Sequence, residues 1–209
     1  KENLVSYWLF SLAVVSLDEA FPLFCIATKG GLGLSEGGIG KILSLAGLLF
    51  ATCQYVVYIK TTDAFGLYQS LWIGCAFGFL PVLFIPMSRL VNPTTAEKDL
   101  DGPSSEEWPM VGLLTVLMAL SKIFCCMFFT SMSIALNKTV DKSQRATLNG
   151  LATLGGSIAK GCGPVLAGCL VSVSFARIGA TYGSVVIFTF IGCLGFGVLL
   201  TLSGSPTNP

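Results

Sequence analysis

The hydrophobic positions of this chain fall into six long runs separated by short polar segments. The runs cover residues 4–27, 39–59, 68–87, 108–136, 146–173 and 178–202. A helix needs about 20 mainly apolar residues to cross the hydrocarbon core of a bilayer. The pattern therefore predicts an all-α membrane protein with six transmembrane helices, which we number as the first to the sixth span.

The connections between the runs are short, with one exception. Residues 88–107 carry five acidic side chains and the turn-forming pairs Asn92-Pro93 and Gly102-Pro103. This segment is expected to be a solvated loop that divides one bundle, residues 1–209, into triplets at 3–87 and 108–203. Three plus three is the organisation of the inverted repeats in many transporters. Because the chain starts at Lys1, we expect it to be a fragment of a longer chain.

Composition narrows the possible functions. The chain is 53% hydrophobic and only 11% charged, which is not the composition of a soluble domain. Its net charge of +1 predicts no nucleic-acid partner, because such partners select basic surfaces. Eight cysteines form no CxxC pair and there is no histidine, so we expect no metal site and no cofactor. Without a nucleophile-base pair or a phosphate-binding loop, the sequence does not predict an enzyme.

Four ionisable residues lie near the middle of predicted spans: Asp18 and Glu19 in the first, Lys122 in the fourth and Lys160 in the fifth. Each charge costs about 2.5 to 3.5 kcal/mol at the bilayer centre. Because the two signs balance, we expect mutual pairing or a shared aqueous cavity. A purely structural ion-pair lock is one interpretation. A substrate or proton site is favoured, since charges inside membranes usually serve function.

The two acids are neighbours, so on a helix they point about 100° apart. One is expected to pair with a lysine while the other faces a cavity and exchanges protons, because desolvation disfavours a charged carboxylate. The residues do not decide between Asp18 and Glu19. Gln54 and Tyr58 of the second span are expected to line the same cavity.

Proline follows two of these charges at the same distance. Pro22 comes four residues after Asp18, and Pro164 comes four residues after Lys160. Proline lacks the N–H that the carbonyl four residues earlier needs, and it kinks a helix. Irregular backbone of this kind is tolerated where it lines a cavity, so both prolines point to one.

Small residues recur every fourth position in the fifth span. They are Gly155, Ala159, Gly163 and Ala167. Such a stripe lets a second helix approach closely. We therefore expect Gly155 and Gly163 to pack against a neighbouring span.

Several motifs resemble a known family. The run SQRATLNG at residues 143–150, followed by AKGCGPVLAG at 159–168, is similar to the eleventh helix of the zinc-induced-facilitator-like branch of the major facilitator superfamily. That helix has a QRxxxNG start and a lysine shortly before GPxxAG. The acids before FPLF at residues 21–24 look like the start of the family's C-terminal half.

This resemblance implies the C-terminal six helices of a twelve-helix fold of the drug:proton antiporter type. Its implied partners are the lipid bilayer, an N-terminal six-helix half and a small-molecule or ion substrate. Asp63 and Gly66 match the superfamily's loop motif, but Ala64 stands where an arginine is common. Zinc does not follow as a substrate, because this half offers no zinc ligands.

The leading hypothesis is therefore half of a secondary active transporter that couples protons to a small organic solute or ion by alternating access. The alternative is a non-transporting scaffold or receptor-like protein whose ion pairs are only structural. Either would be an integral, multi-pass membrane protein. The plasma membrane and a vacuolar-type membrane both remain open.

Overall fold

The computed structural model describes residues 2–91 and 108–203, and six helical spans account for most of them. Their bounds are Glu2–Ile26, Glu36–Phe65, Leu67–Val91, Trp108–Lys138, Arg145–Val173 and Ala180–Ser203. All six are long and apolar enough to cross a membrane. The prediction of an all-α protein with six transmembrane helices is confirmed. Residues 88–91 belong to the third span, and the rest of the expected loop at 88–107 lies outside the described residues.

The third span changes its helical form part-way along. It is α-helical over Leu67–Phe79, becomes a 3₁₀ helix over Pro81–Met87, and ends as a short α-helix at Ser88–Val91. Pro81 and Pro86 explain the change, since neither can donate the backbone hydrogen bond that an α-helix requires.

A single residue, Gly66, joins the second span to the third. Its φ is +81°, a region that glycine enters without steric cost. Its N–H donates to the carbonyl of Thr62 at 2.8 Å and closes the end of the second helix. The loop motif therefore keeps a glycine that the backbone requires, and Asp63 lies exposed in the preceding turn.

The six spans form two layers. The first layer is a row of four helices in the order fifth, first, fourth and second, and the third and sixth spans pack together behind it. If the first, second and third spans are exchanged with the fourth, fifth and sixth, the same set of helix contacts results. The first-to-fifth contact becomes fourth-to-second, and first-to-sixth becomes fourth-to-third. This is the contact pattern of an inverted three-plus-three repeat.

Small residues allow the closest helix contacts. Gly155 and Gly163 of the fifth span face Trp8 and Val15 of the first, and a Cβ at Gly163 would lie 2.5 Å from the Val15 Cγ1. Gly74 of the third span lies against the backbone of the fourth. The fifth and first spans, and likewise the third and fourth, are consequently held at short interaxial distances.

Candidate functional site

An ion pair joins the two central helices of the row. Lys122 Nζ of the fourth span donates to Asp18 Oδ1 of the first at 2.5 Å. The two side chains are 39% and 37% exposed, so the pair opens to one surface of the bundle. It lies near the middle of both spans, where charge is costly unless paired or hydrated.

We call this surface the inner face. It is the side of the four-helix row that points away from the third and sixth spans. On the first span, Tyr7 and Ser11 come eleven and seven residues before Asp18. On the fourth span, Cys126 and Thr130 come four and eight residues after Lys122. Residues at these spacings lie on the same side of a helix. Ser11 is buried near Gly156 of the fifth span, so the open part of this polar and aromatic strip consists of Tyr7, the ion pair, Cys126 and Thr130.

The second span adds Gln54 to this strip. Cys126 Sγ donates to Gln54 Oε1 at 3.2 Å and so joins the second span to the fourth. Tyr58 follows one turn later on the same side of the helix and is partly exposed. Both residues expected to line a cavity therefore lie on the inner face.

The fifth span places Lys160 on the same side. Its stripe of small residues packs on the first span, and the neighbouring buried Gly156 faces Tyr7 and Ser11. Lys160 is exposed next to this stripe, in line with three exposed polar residues spaced four, four and three apart. These are Asn149, Thr153 and Ser157. The fifth span therefore presents a polar edge to the inner face.

The helix register separates Lys160 from the ion pair. Trp8 lies against Gly155 and Val15 against Gly163, which puts Lys160 near the level of Ala13. Asp18 stands about five residues further along, or roughly 8 Å at 1.5 Å per residue. On the fourth span, Lys122 is level with Asp18, and Phe128 is level with Phe10, on which it stacks. Cys126 lies between these two levels, so its partner Gln54 lies near the depth of Lys160.

Glu19 does not join the inner face. It is exposed and shares a side of the first helix with Trp8, Leu12 and Val15, the side that meets the fifth span. Within residues 2–91 and 108–203, neither Glu19 nor Lys160 has a hydrogen-bond or ion-pair partner. Of the four charges expected to balance, the structure brings together Asp18 and Lys122.

The two prolines lie within unbroken helices. The first span runs through Pro22 to Ile26, and the fifth runs through Pro164 to Val173. Pro22 is partly buried, whereas Pro164 is exposed one turn beyond Lys160 on the polar edge. Their missing N–H groups leave the carbonyls of Asp18 and Lys160 without a helical donor.

Sequence reasoning missed part of this arrangement. Cys126, the partner of Gln54, lies in an apolar run, and nothing in that run marks it as a polar contact. The polar edge at Asn149, Thr153 and Ser157 was also missed, although its spacing was readable as one side of a helix. Among the described residues, no group of three or more His, Cys, Asp or Glu side chains lies close enough to hold a metal ion.

A separate apolar groove of about 440 Å³ lies between the first and fifth spans. Leu9, Leu12, Leu154 and Ile158 are among its lining residues. It lies on the far side of the small-residue stripe from Lys160. The fifth span is thus polar along one exposed edge and apolar along the other.

Comparison with known protein families identifies the fold. The model of the Major Facilitator Superfamily matches residues 4–209. The chain belongs to this superfamily. Membership agrees with the packing of the six spans and confirms the resemblance drawn from the motifs, as well as an integral, multi-pass membrane protein.

Three curated relatives share modest identity with the chain. A probable peptide/nitrate transporter of Arabidopsis thaliana is 26% identical over 86% of this chain and 34% of its own length. The zinc induced facilitator 1 protein of the same plant is 28% identical, with 95% and 39% covered. A major facilitator-type transporter of Psilocybe cyanescens is 30% identical, with 76% and 30% covered.

The chain thus spans between 30% and 39% of the length of these relatives. No solved structure matches it. Two of these three relatives carry the word transporter in their names, and none of the three names denotes an enzyme.

Proposed function

We propose that the chain is the C-terminal half of a secondary active transporter, which moves a small solute by alternating access and couples it to protons through Asp18. The observation that carries the proposal is the Asp18–Lys122 ion pair, which opens onto the inner face at mid-span. A carboxylate whose charge is balanced by one lysine changes that balance when it binds a proton. Such a change of charge is what a coupling site needs.

The exposed surfaces of the bundle support a partner half. Of the six described spans, the second and fifth are the least buried. They stand at the two ends of the four-helix row, so a second six-helix half placed over the inner face touches both. The ion pair, Gln54 and Lys160 then lie in the cavity between the halves.

Transport by the full-length protein in liposomes tests this proposal. The probe solutes are nitrate, malate, a dipeptide and tetraethylammonium, and internal pyranine reports proton movement. In the wild type we expect a proton gradient to accelerate uptake of at least one probe. Asp18→Asn should reduce this acceleration at least tenfold, because an amide does not exchange protons. Glu19→Gln is the matched control and should keep it, since Glu19 lies off the inner face.

Two results contradict the proposal. If folded Asp18→Asn protein keeps the normal dependence of solute uptake on the proton gradient, Asp18 is not the coupling residue. Absence of uptake of every probe by the folded wild type favours instead a scaffold or receptor-like protein on the same fold.

A further inference from the structure

The charges of the inner face do not cancel. Asp18 and Lys122 neutralise each other, and Glu19 lies on another side of the first helix. Lys160 remains at mid-span with no acidic partner in the described parts of the chain. The mid-span part of the inner face therefore carries a net charge of +1 when Asp18 is ionised.

From this imbalance we infer that the transported solute carries an oxyanion group, such as a carboxylate, phosphate or nitrate, and that Lys160 receives it. The inference rests on the proposed transport function and specifies its substrate class. An ammonium group offers three hydrogen-bond donors and no acceptor, so its complement is an oxyanion. Thr153 and Ser157 stand on the same edge of the helix and supply hydroxyl donors.

Protonation of Asp18 strengthens this site. While Asp18 is ionised, it occupies Lys122 through the 2.5 Å hydrogen bond. Once Asp18 binds a proton it is neutral, and Lys122 becomes available to the same solute. The net charge of the face rises from +1 to +2, so proton and oxyanion load together. This predicts symport, in contrast to the antiport implied by the family resemblance.

The surroundings of Asp18 contain little else that alters this balance. The fourth span contributes Lys122 and the buried Cys125, and the fifth contributes Lys160 one to two turns away. The sixth span holds no Asp, Glu, Lys or Arg. The second span brings the uncharged Gln54 to the inner face, while its charged residues Glu36, Lys41, Lys60 and Asp63 lie near its ends. On the first span itself, Glu19 is turned about 100° away.

A cationic solute predicts the opposite dependence on pH. It would compete with the proton for Asp18 and bind better when Asp18 is ionised. It would also meet Lys160 as a like charge. The sign of the pH dependence therefore distinguishes the two substrate classes.

Thermal melting of the purified full-length protein tests the inference. Nitrate, malate and inorganic phosphate are the anionic probes, and tetraethylammonium and choline are the cationic probes, all at equal ionic strength. At pH 5.5 we expect at least one anion to raise the Tm, by more than at pH 7.5, and no cation to do so. Lys160→Ala should reduce the anion-induced shift at least twofold. Lys160→Arg should keep it, as should Lys138→Ala, which removes an exposed lysine at the end of the fourth span.

Several outcomes overturn the inference. They are no shift with any anion, a cation-induced shift that grows with pH, or an anion-induced shift that Lys160→Ala leaves intact. Lys160→Ala could also lower the Tm of the unliganded protein while leaving the anion-induced change in Tm unchanged. This result would mean that Lys160 forms an ion pair with another part of the protein and does not bind the anion. The protein could instead take up a cation in a proton-coupled manner and lose that coupling in Asp18→Asn. This result overturns only the present inference and leaves the proposed function standing.

Discussion

At the scale of single residues, the structure separates two acids that the sequence presents as equivalent. Asp18 and Glu19 are adjacent, have the same charge and lie at the same depth. The helix turns them to different sides, and only Asp18 meets a lysine. Position on the helix, rather than residue type, therefore determines which acid belongs to the inner face.

This difference predicts the result of a double-mutant cycle on the full-length protein. Asp18→Asn and Lys122→Gln should show a coupling free energy of about 1 kcal/mol, because the residues are in direct contact. A larger value is not expected, since both side chains are more than one third exposed and solvent weakens such pairs. The measurement is the free energy of unfolding of each variant in detergent.

The matched cycle replaces Asp18→Asn with Glu19→Gln. It should give a coupling energy near zero, because Glu19 does not contact Lys122. Equal coupling in both cycles would mean that Lys122 responds to the general charge of the region and not to a specific partner.

Individual partners were harder to predict than individual charges. The four mid-span charges could be found from the sequence, because an ionisable residue stands out in an apolar run. The pairing of Asp18 with Lys122 could not, since 104 residues separate them and the pairing depends on how helices pack. The Cys126 contact to Gln54 was missed for the same reason, as cysteine is usually an apolar packing residue.

At the scale of helices, small residues set the distances on which the site depends. Gly74 illustrates this in the third span. A Cβ there would lie 2.8 Å from the backbone nitrogen of Phe128 and 2.9 Å from the carbonyl oxygen of Phe124. Backbone atoms cannot rotate away as a side chain can, so the third and fourth spans must separate to admit a methyl group.

Gly74→Ala should therefore destabilise the full-length protein by about 1 to 3 kcal/mol, the usual cost of overpacking a tight contact. Gly112→Ala is the control, because nothing lies within 4 Å of a Cβ at that exposed helical position. Alanine should be neutral or stabilising there by up to about 1 kcal/mol, since it is the better helix former. Thermal melting of both variants measures the difference, and equal melting temperatures would show that the third and fourth spans are not held this closely.

Elements were predicted more reliably than their details. The six spans follow from hydrophobic runs, because the bilayer imposes their length. The observed ends of the helices differ more from the predicted ones. The second span runs from Glu36 to Phe65, whereas the hydrophobic pattern predicted residues 39–59. Polar residues such as Lys60 and Asp63 extend that helix past the apolar run, since backbone hydrogen bonding continues until Gly66 ends it.

At the scale of the whole molecule, the described helices are covered unequally on the two sides of the bundle, and the second and fifth spans are the least buried. The row of four helices has the third and sixth spans behind it and an open inner face in front. Exposed glycines of the second and fifth spans illustrate this opening. At Gly47 of the second span and Gly161 of the fifth, nothing lies within 4 Å of an added Cβ, although exposed glycine weakens a helix. Such residues suit close contact with helices of another half.

This leads to the last prediction, that Gly47 and Gly161 are tightly packed in the full-length protein. Gly47→Leu and Gly161→Leu should each lower the Tm and reduce transport, because a large side chain would hold the two halves apart. Gly197→Leu in the sixth span is the control, since its Cβ also meets nothing within 4 Å but it lies on a helix behind the row. It should behave like the wild type, because lipid can accommodate the added side chain. If all three variants behave alike, the second and fifth spans face lipid as the sixth does, and the second half must dock on a different surface.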